Sequence, residues 1–249
     1  MIKVQNVNIL IFNFIFCFFP ISFILGNQAI NLNIFLLSIF TLLFFSKKIF
    51  NIKFNSLDRL LFFFFIYIYI TLFLNYLESQ IENKIFAKEI FYKSLFFLRY
   101  LILYIALRYL IFKKIINLKL FNITCAVVAI IVSFDVYIQF ITGKNIFGTT
   151  PYSSRHYSSF FGEELIAGGY IQKFSLFVFF LPILLTKKFF FKTSLLFFLF
   201  LFFFFSIILT GNRMPLVLYF LSFFILVILN KKIRKYFFLL SFIVFIFLF

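Results

Sequence analysis

Nine long apolar stretches make up most of this chain, and they leave few folds open to it. A helix of roughly 17–25 mostly apolar residues spans the hydrocarbon core of a bilayer. A helix also pairs its own backbone groups in lipid, where irregular backbone leaves them unpaired. We therefore predict an all-α fold, a polytopic transmembrane helix bundle of about nine spans that forms a single transmembrane domain over residues 1–249. The predicted spans are residues 9–25, 29–45, 60–77, 95–112, 121–142, 170–185, 194–209, 215–229 and 236–249.

The composition excludes an ordinary soluble domain. Hydrophobic residues make up 65% of the chain, whereas soluble domains use about half. The 51 phenylalanines are interpreted as generic lipid-facing side chains. A net charge of +17 would suit a nucleic-acid-binding protein, but the basic residues form short runs between apolar stretches, as in membrane proteins. We expect contact with membrane lipid and no nucleic-acid partner.

The cysteine content gives no indication of a metal site or a disulfide framework. Cys17 and Cys125 lie far apart in the chain, each inside a predicted span. Buried, inert thiols are the usual state of such residues. We therefore predict no metal and no cofactor.

Basic residues alternate strongly from one connection to the next. One set of connections carries fifteen of the 24 Lys and Arg residues against a single acid, Asp58. The intervening connections carry seven basic residues against five acids. Because positive residues accumulate on the cytoplasmic side of a membrane, the amino terminus is predicted to be cytoplasmic, with residues 143–170 on the opposite side.

Two polar segments on that outer side carry the candidate chemistry. The longer one, residues 143–170, holds four of the 7 glycines, the single histidine and Arg155. The shorter one, residues 210–215, is a tight turn with Arg213 just before the amino end of the eighth span. A guanidinium group fits phosphate oxygens, and a helix amino end favours anions. Each arginine therefore has two interpretations, a phosphate-binding group or an ordinary arginine among lipid headgroups.

Ionisable residues also occur inside the predicted spans, where an unpaired charge is costly. Arg99 and Asp135 lie at similar depths near the outer ends of their spans. They are predicted to pair, either as a structural contact or as the floor of an outward-facing cavity. Gln139 shares a helix face with Asp135. Arg108 lies near the cytoplasmic end of its span and is interpreted as a snorkelling side chain.

The acids of the longer segment have several possible roles. Glu163 and Glu164 follow Gly162, which predicts a helix start with acids at its positive end. Either they only cap that helix, or one of them orients Arg155 or accepts a proton. His156 is a weaker candidate for a general base, because the sequence shows no partner to orient it. The catalytic residue stays unassigned.

Taken together, the two polar segments resemble the O-antigen ligase and O-antigen polymerase family. That family pairs an outer R-x-S-x-F-F-G-x-E-x-x-A-G segment with a later G-[SEN]-R turn. The resemblance covers about residues 135–229 of this chain. The matching residues are Arg155, Ser158 or Ser159, Phe160, Phe161, Gly162, Glu164, Ala167, Gly168, Gly211, Asn212 and Arg213.

The resemblance implies a glycosyltransferase of the bacterial inner (cytoplasmic) membrane that uses neither a nucleotide sugar nor a metal. Its donor would be an undecaprenyl-diphosphate-linked glycan on the periplasmic side, so that both polar segments are periplasmic. Its acceptor would be lipid A core or a growing glycan, in the biosynthesis of lipopolysaccharide or another surface polysaccharide. The family's outer arginines hold the diphosphate, a role that falls here to Arg155 and Arg213. Glu164, Arg99 and Asp135 complete the predicted substrate-binding set.

Two other function classes stay open, and the chain is expected to be a fragment. The family's catalytic base comes from a large outer loop that would begin where this chain ends, at Phe249. We therefore expect an amino-terminal fragment truncated before that loop. A transporter or flippase for lipid-linked sugars would favour inverted repeats and charges at the membrane midplane. A non-catalytic membrane scaffold would tolerate changes at Arg155 and Arg213.

Overall fold

Helices form all of the long apolar stretches that the computed structural model describes. In chain order they are α1 (Ile2–Cys17), α2 (Phe19–Leu25), α3 (Asn27–Ile49), α4 (Ser56–Ile81), α5 (Leu98–Phe112), α6 (Leu118–Thr142), a 3-10 helix (Ser159–Phe161), α7 (Ala167–Val178), α8 (Phe189–Leu209) and α9 (Arg213–Leu229). The described residues are 2–49, 55–81, 91–92, 95–151, 153, 155–162, 164–179 and 189–229. Within them the predicted all-α fold is confirmed. The ninth predicted span and residues 180–185 of the sixth lie outside the described residues.

Three helices are long and apolar enough to cross a membrane, among the residues described. They cover Asn27–Phe45, Ser56–Glu78 and Leu118–Thr142. Shorter apolar helices cover Leu195–Leu209 and Arg213–Ile225. These lengths and compositions indicate a membrane protein.

The contacts within the chain group it into two units, Met1–Asn117 and Leu118–Phe249. In the first unit, α3 packs against α1, α2 and α5. In the second unit, α7 packs against α6, α8 and α9, and α6 also packs against α8. The single transmembrane domain expected from the sequence stays a prediction.

The first predicted span is interrupted at Phe18 in the first unit. Helix α1 ends at Cys17, and α2 begins at Phe19 with Pro20 in its first turn. Proline has no backbone N–H, so Pro20 cannot continue the hydrogen-bond ladder to the carbonyl of Phe16. The apolar pattern of residues 9–25 is therefore one continuous stretch in the sequence and two helices in the structure.

The one buried acid of the first unit that the structure describes pairs with a basic residue. Asp58 Oδ2 lies 2.6 Å from Arg108 Nη2, and the two side chains are 2% and 18% exposed. The Tyr104 hydroxyl donates a hydrogen bond to Asp58 Oδ1, and the backbone N–H of Asn55 donates to Oδ2. The snorkelling interpretation of Arg108 is therefore wrong: its charge is balanced by the carboxylate at the start of α4.

Phenylalanine forms much of the core of the second unit. Phe200, Phe203 and Phe204 on α8 are at most 1% exposed, so the lipid-facing interpretation is wrong for them. The Phe200 ring lies 4.2 Å from that of Phe223 on α9, between centroids. Tyrosine hydroxyls join the same helices, since Tyr219 donates to the carbonyl oxygen of Phe200 at 3.1 Å. This aromatic packing brings the outer ends of α7, α8 and α9 together.

Candidate functional site

The connection between α8 and α9 is a tight turn with glycine at its sharpest point. The backbone N–H of Gly211 donates to the carbonyl of Ile208 at 2.9 Å. Gly211 has φ +74°, a left-handed conformation that glycine adopts without a Cβ penalty. Helix α9 then begins at Arg213, with Pro215 in its first turn, where a missing N–H is tolerated. Arg213 is therefore exposed at the amino end of α9.

Arg155 lies in a second tight turn, within the longer polar segment. Ser153 and His156 form an isolated antiparallel bridge, and the backbone N–H of His156 donates to the carbonyl of Ser153 at 3.1 Å. Arg155 occupies the turn between them and is exposed. A short reversal of this kind presents the residue at its tip away from the backbone contacts beneath it.

The two turns touch each other, and we call this contact the two-loop junction (Arg155, His156, Thr210 and Gly211). A Cβ atom built on Gly211 would overlap the Arg155 carbonyl oxygen and the His156 ring. His156 Nδ1 lies 3.3 Å from the carbonyl oxygen of Thr210. Only glycine allows this approach of one backbone to the other. The structure therefore brings the Arg155 turn against the turn that precedes Arg213.

The start of α7 packs against the other side of the same turn. A Cβ atom on Gly168 would overlap Thr210 Oγ1 and press on the Asn212 side chain. Asn212 Nδ2 also donates to the carbonyl of Leu165 at 2.6 Å. The turn between α8 and α9 is therefore held between the Arg155 turn and the amino end of α7. These three segments contain nearly all of the residues that carry the family resemblance.

A buried polar network fixes the longer segment to α6. Asp135, on α6, is fully buried. Its Oδ2 accepts a hydrogen bond from Ser159 Oγ at 2.6 Å, and its Oδ1 accepts one from the backbone N–H of Ile146 at 2.8 Å. Gln139 Oε1 accepts from the backbone N–H of Ser159 at 2.9 Å, and Asn145 Nδ2 donates to the carbonyl of Ser159 at 2.9 Å.

This network holds Ser159 in an unusual conformation. Its φ is +54°, which is uncommon for a residue with a side chain. Such conformations persist where surrounding contacts over-determine them, and here the N–H, the carbonyl and the hydroxyl of Ser159 are all bonded. The 3-10 helix that begins at Ser159 follows the Arg155 turn by only a few residues. The network therefore sets where that turn lies.

The predicted partnership of Asp135 and Arg99 looks different in the structure. Asp135 is bonded within the second unit, as described above. Arg99 belongs to the first unit, where its Nη2 donates to the Tyr100 hydroxyl at 3.0 Å and its guanidinium carbon lies 4.9 Å from the Tyr100 ring centroid. The Nε atom of Arg99 is buried without a hydrogen-bond partner. A pairing of Arg99 with Asp135 stays a prediction, as does their contribution to substrate binding.

The predicted helix start at residues 162–164 is wrong. Helix α7 begins at Ala167, and Glu164 lies exposed three residues before it. The backbone N–H of Glu164 donates to the carbonyl of Phe161, which closes the 3-10 turn instead. Glu163 lies outside the described residues. The positive φ of Gly162, +61°, turns the chain out of a helical path at this point.

Sequence reasoning missed Asn145 and undervalued His156. The signal for Asn145 was its position shortly after the end of a long helix, where asparagine commonly bonds nearby backbone. The orienting partner of His156 is a backbone carbonyl distant in sequence, which leaves no sequence signal. Within the described part of the chain, no three His, Cys, Asp or Glu side chains lie close enough to hold a metal ion.

Comparisons of the chain with family models, with curated proteins and with solved structures give no match. The family resemblance therefore stays a prediction.

Proposed function

We propose that this protein is a multi-pass glycosyltransferase of the bacterial inner membrane, of the O-antigen ligase or O-antigen polymerase type. It takes an undecaprenyl-diphosphate-linked glycan on the periplasmic side and transfers the glycan to lipid A core or to a growing glycan. Arg155 and Arg213 bind the diphosphate of the donor.

The observation that carries this proposal is the two-loop junction. Gly211 packs directly on the backbone of Arg155 and on the ring of His156, and Arg213 follows two residues later. Both arginine side chains are exposed. Two guanidinium groups on adjoining turns supply several forked donors, which suits the many oxygens of a diphosphate.

The chemistry of transfer gives these charges a purpose. As the bond from the sugar to the diphosphate breaks, negative charge grows on the departing diphosphate. Cations that are already in place stabilise that charge without further reorganisation. The amino end of α9, which starts at Arg213, adds backbone donors and the positive end of a helix dipole.

The membrane orientation is part of the proposal. The charge alternation supports about nine spans with a cytoplasmic amino terminus, so that the junction faces the periplasm. We expect a cysteine introduced at Ile146, which is 57% exposed, to react with a membrane-impermeant maleimide added outside. The unaltered protein is the control, because Cys17 and Cys125 are buried. Labelling that requires the membrane to be opened first would reverse the orientation.

Arg213→Lys tests the diphosphate site. Lysine keeps the charge but loses the planar fork of donors, so we expect glycan transfer to fall about tenfold or more while the protein remains folded. Transfer from the undecaprenyl-diphosphate donor is measured in membranes that carry the protein, and Arg155→Lys is expected to behave in the same way.

Arg59→Lys is the matched control for these variants. Arg59 is also exposed, but it lies on α4 in the first unit, and we expect its replacement to leave transfer unchanged. Full transfer by both Arg155→Lys and Arg213→Lys would remove the arginines from the site and favour a scaffold. Donor movement across the membrane without transfer would favour a flippase.

A further inference from the structure

We propose that His156 is the general base of the transfer reaction and accepts the proton of the attacking hydroxyl on its Nε2 atom. This inference rests on the proposed function and assigns a catalytic residue to the same site.

The contact between His156 and Thr210 determines which ring nitrogen is free. His156 Nδ1 lies 3.3 Å from the carbonyl oxygen of Thr210, and a carbonyl oxygen can only accept a hydrogen bond. Nδ1 must therefore carry the proton. In the neutral ring, Nε2 then keeps its lone pair. Among the described residues, no hydrogen bond to Nε2 occupies that lone pair.

The ring is also held in place at the position where donor and acceptor must meet. Its Nδ1 and Cε1 atoms lie against Gly211, close enough that a Cβ there would overlap both. Its backbone N–H is bonded to Ser153. His156 follows Arg155 directly and contacts the turn that leads to Arg213, so it lies between the two proposed diphosphate-binding residues. A general base needs this kind of orientation by a third group.

The step is a direct displacement at the anomeric carbon. An acceptor hydroxyl loses its proton to His156 Nε2 as its oxygen forms a bond to the anomeric carbon. The bond from that carbon to the diphosphate oxygen breaks, and its electron pair leaves with the undecaprenyl diphosphate. Arg155 and Arg213 balance the charge that develops there. The imidazolium of His156 then returns its proton to water, which restores the neutral ring.

Two substitutions separate catalysis from structure. In His156→Asn the amide nitrogen replaces Nδ1 as the donor to Thr210, but nothing replaces Nε2. We expect kcat to fall about 100-fold or more, as is typical of a lost general base, with the donor KM and the unfolding temperature nearly unchanged. In His156→Gln the bond to Thr210 is lost as well, so we expect both lower stability and lost transfer.

The tautomer can be measured without any assay of activity. The chain contains a single histidine, so labelling with 15N-histidine, in a protein purified without a histidine tag, gives the ring signals of His156 alone. We expect the neutral ring to carry its proton on Nδ1. A proton on Nε2 would overturn the inference, because that nitrogen could then accept nothing.

The outcomes distinguish this inference from the proposed function. Transfer by His156→Asn at the wild-type rate, alongside impaired Arg213→Lys, would overturn the assignment of the base and leave the glycosyltransferase intact. A donor KM raised as much as kcat is lowered would make His156 a binding residue and overturn it too. If the wild-type protein transfers no glycan, the proposed function fails and the general base fails with it.

Discussion

Gly211→Ala is expected to destabilise the protein by about 3–5 kcal/mol and to abolish transfer. The left-handed backbone at φ +74° costs about 1–2 kcal/mol once a Cβ is present. The new Cβ also overlaps the Arg155 carbonyl, which belongs to the backbone and cannot rotate away. Overpacking adds about 1–3 kcal/mol. The midpoint of thermal unfolding in detergent, with transfer in membranes, measures both effects.

Gly143→Ala is the matched control. Gly143 also follows the last residue of a long helix and has the same φ of +74°, but a Cβ there would meet nothing within 4 Å. We expect a loss of only about 1–2 kcal/mol from backbone strain, with transfer retained. Equal effects of the two substitutions would mean that the junction does not depend on close contact at Gly211.

Asp135→Ala is expected to cost about 3–5 kcal/mol and to release the longer polar segment from α6. The fully buried carboxylate accepts two hydrogen bonds, and bonds to a charged group are worth about 1.5–3 kcal/mol each. The substitution leaves the Ile146 N–H and the Ser159 hydroxyl unpaired. Denaturant unfolding measures the loss of stability, and amide exchange at residues 143–162 measures the release of the segment.

Ser133→Ala provides the comparison on the same helix. Ser133 is as completely buried as Asp135, but its hydroxyl has no hydrogen-bond partner. Its removal therefore takes away no bond, and we expect little change in stability or amide exchange. If Asp135→Ala changed amide exchange no more than Ser133→Ala, the network would not be what holds the segment.

The helices were predictable because their physical cause is local. Lipid requires long apolar helices, and the apolar pattern shows where each one lies. The break at Phe18 was less evident, although Pro20 supplied the signal. The start of α7 was misplaced because acids after Gly162 match a common helix start, whereas Ser159 and Gly162 with positive φ continue the turn to Ala167.

The contacts of the candidate site depend on tertiary packing and so were less predictable. Arg155 and Arg213 were singled out by residue type and by the family resemblance. What places their turns together is the packing of α7, α8 and α9, which no local pattern encodes. The pairing of Arg108 with Asp58 was missed for a similar reason, because Asp58 looked like a loop acid and is in fact buried.

The left-handed Ser159 has a consequence for how a substrate would be received. A loop that folds only on contact with its ligand loses conformational entropy at that moment, which weakens binding. Ser159 is instead bonded through its N–H, carbonyl and hydroxyl before any substrate arrives. The entropy of ordering this stretch is lost when the chain folds. A long-tailed lipid arriving sideways through the bilayer would meet a preorganised surface, and recognition there would be closer to lock-and-key than to induced fit.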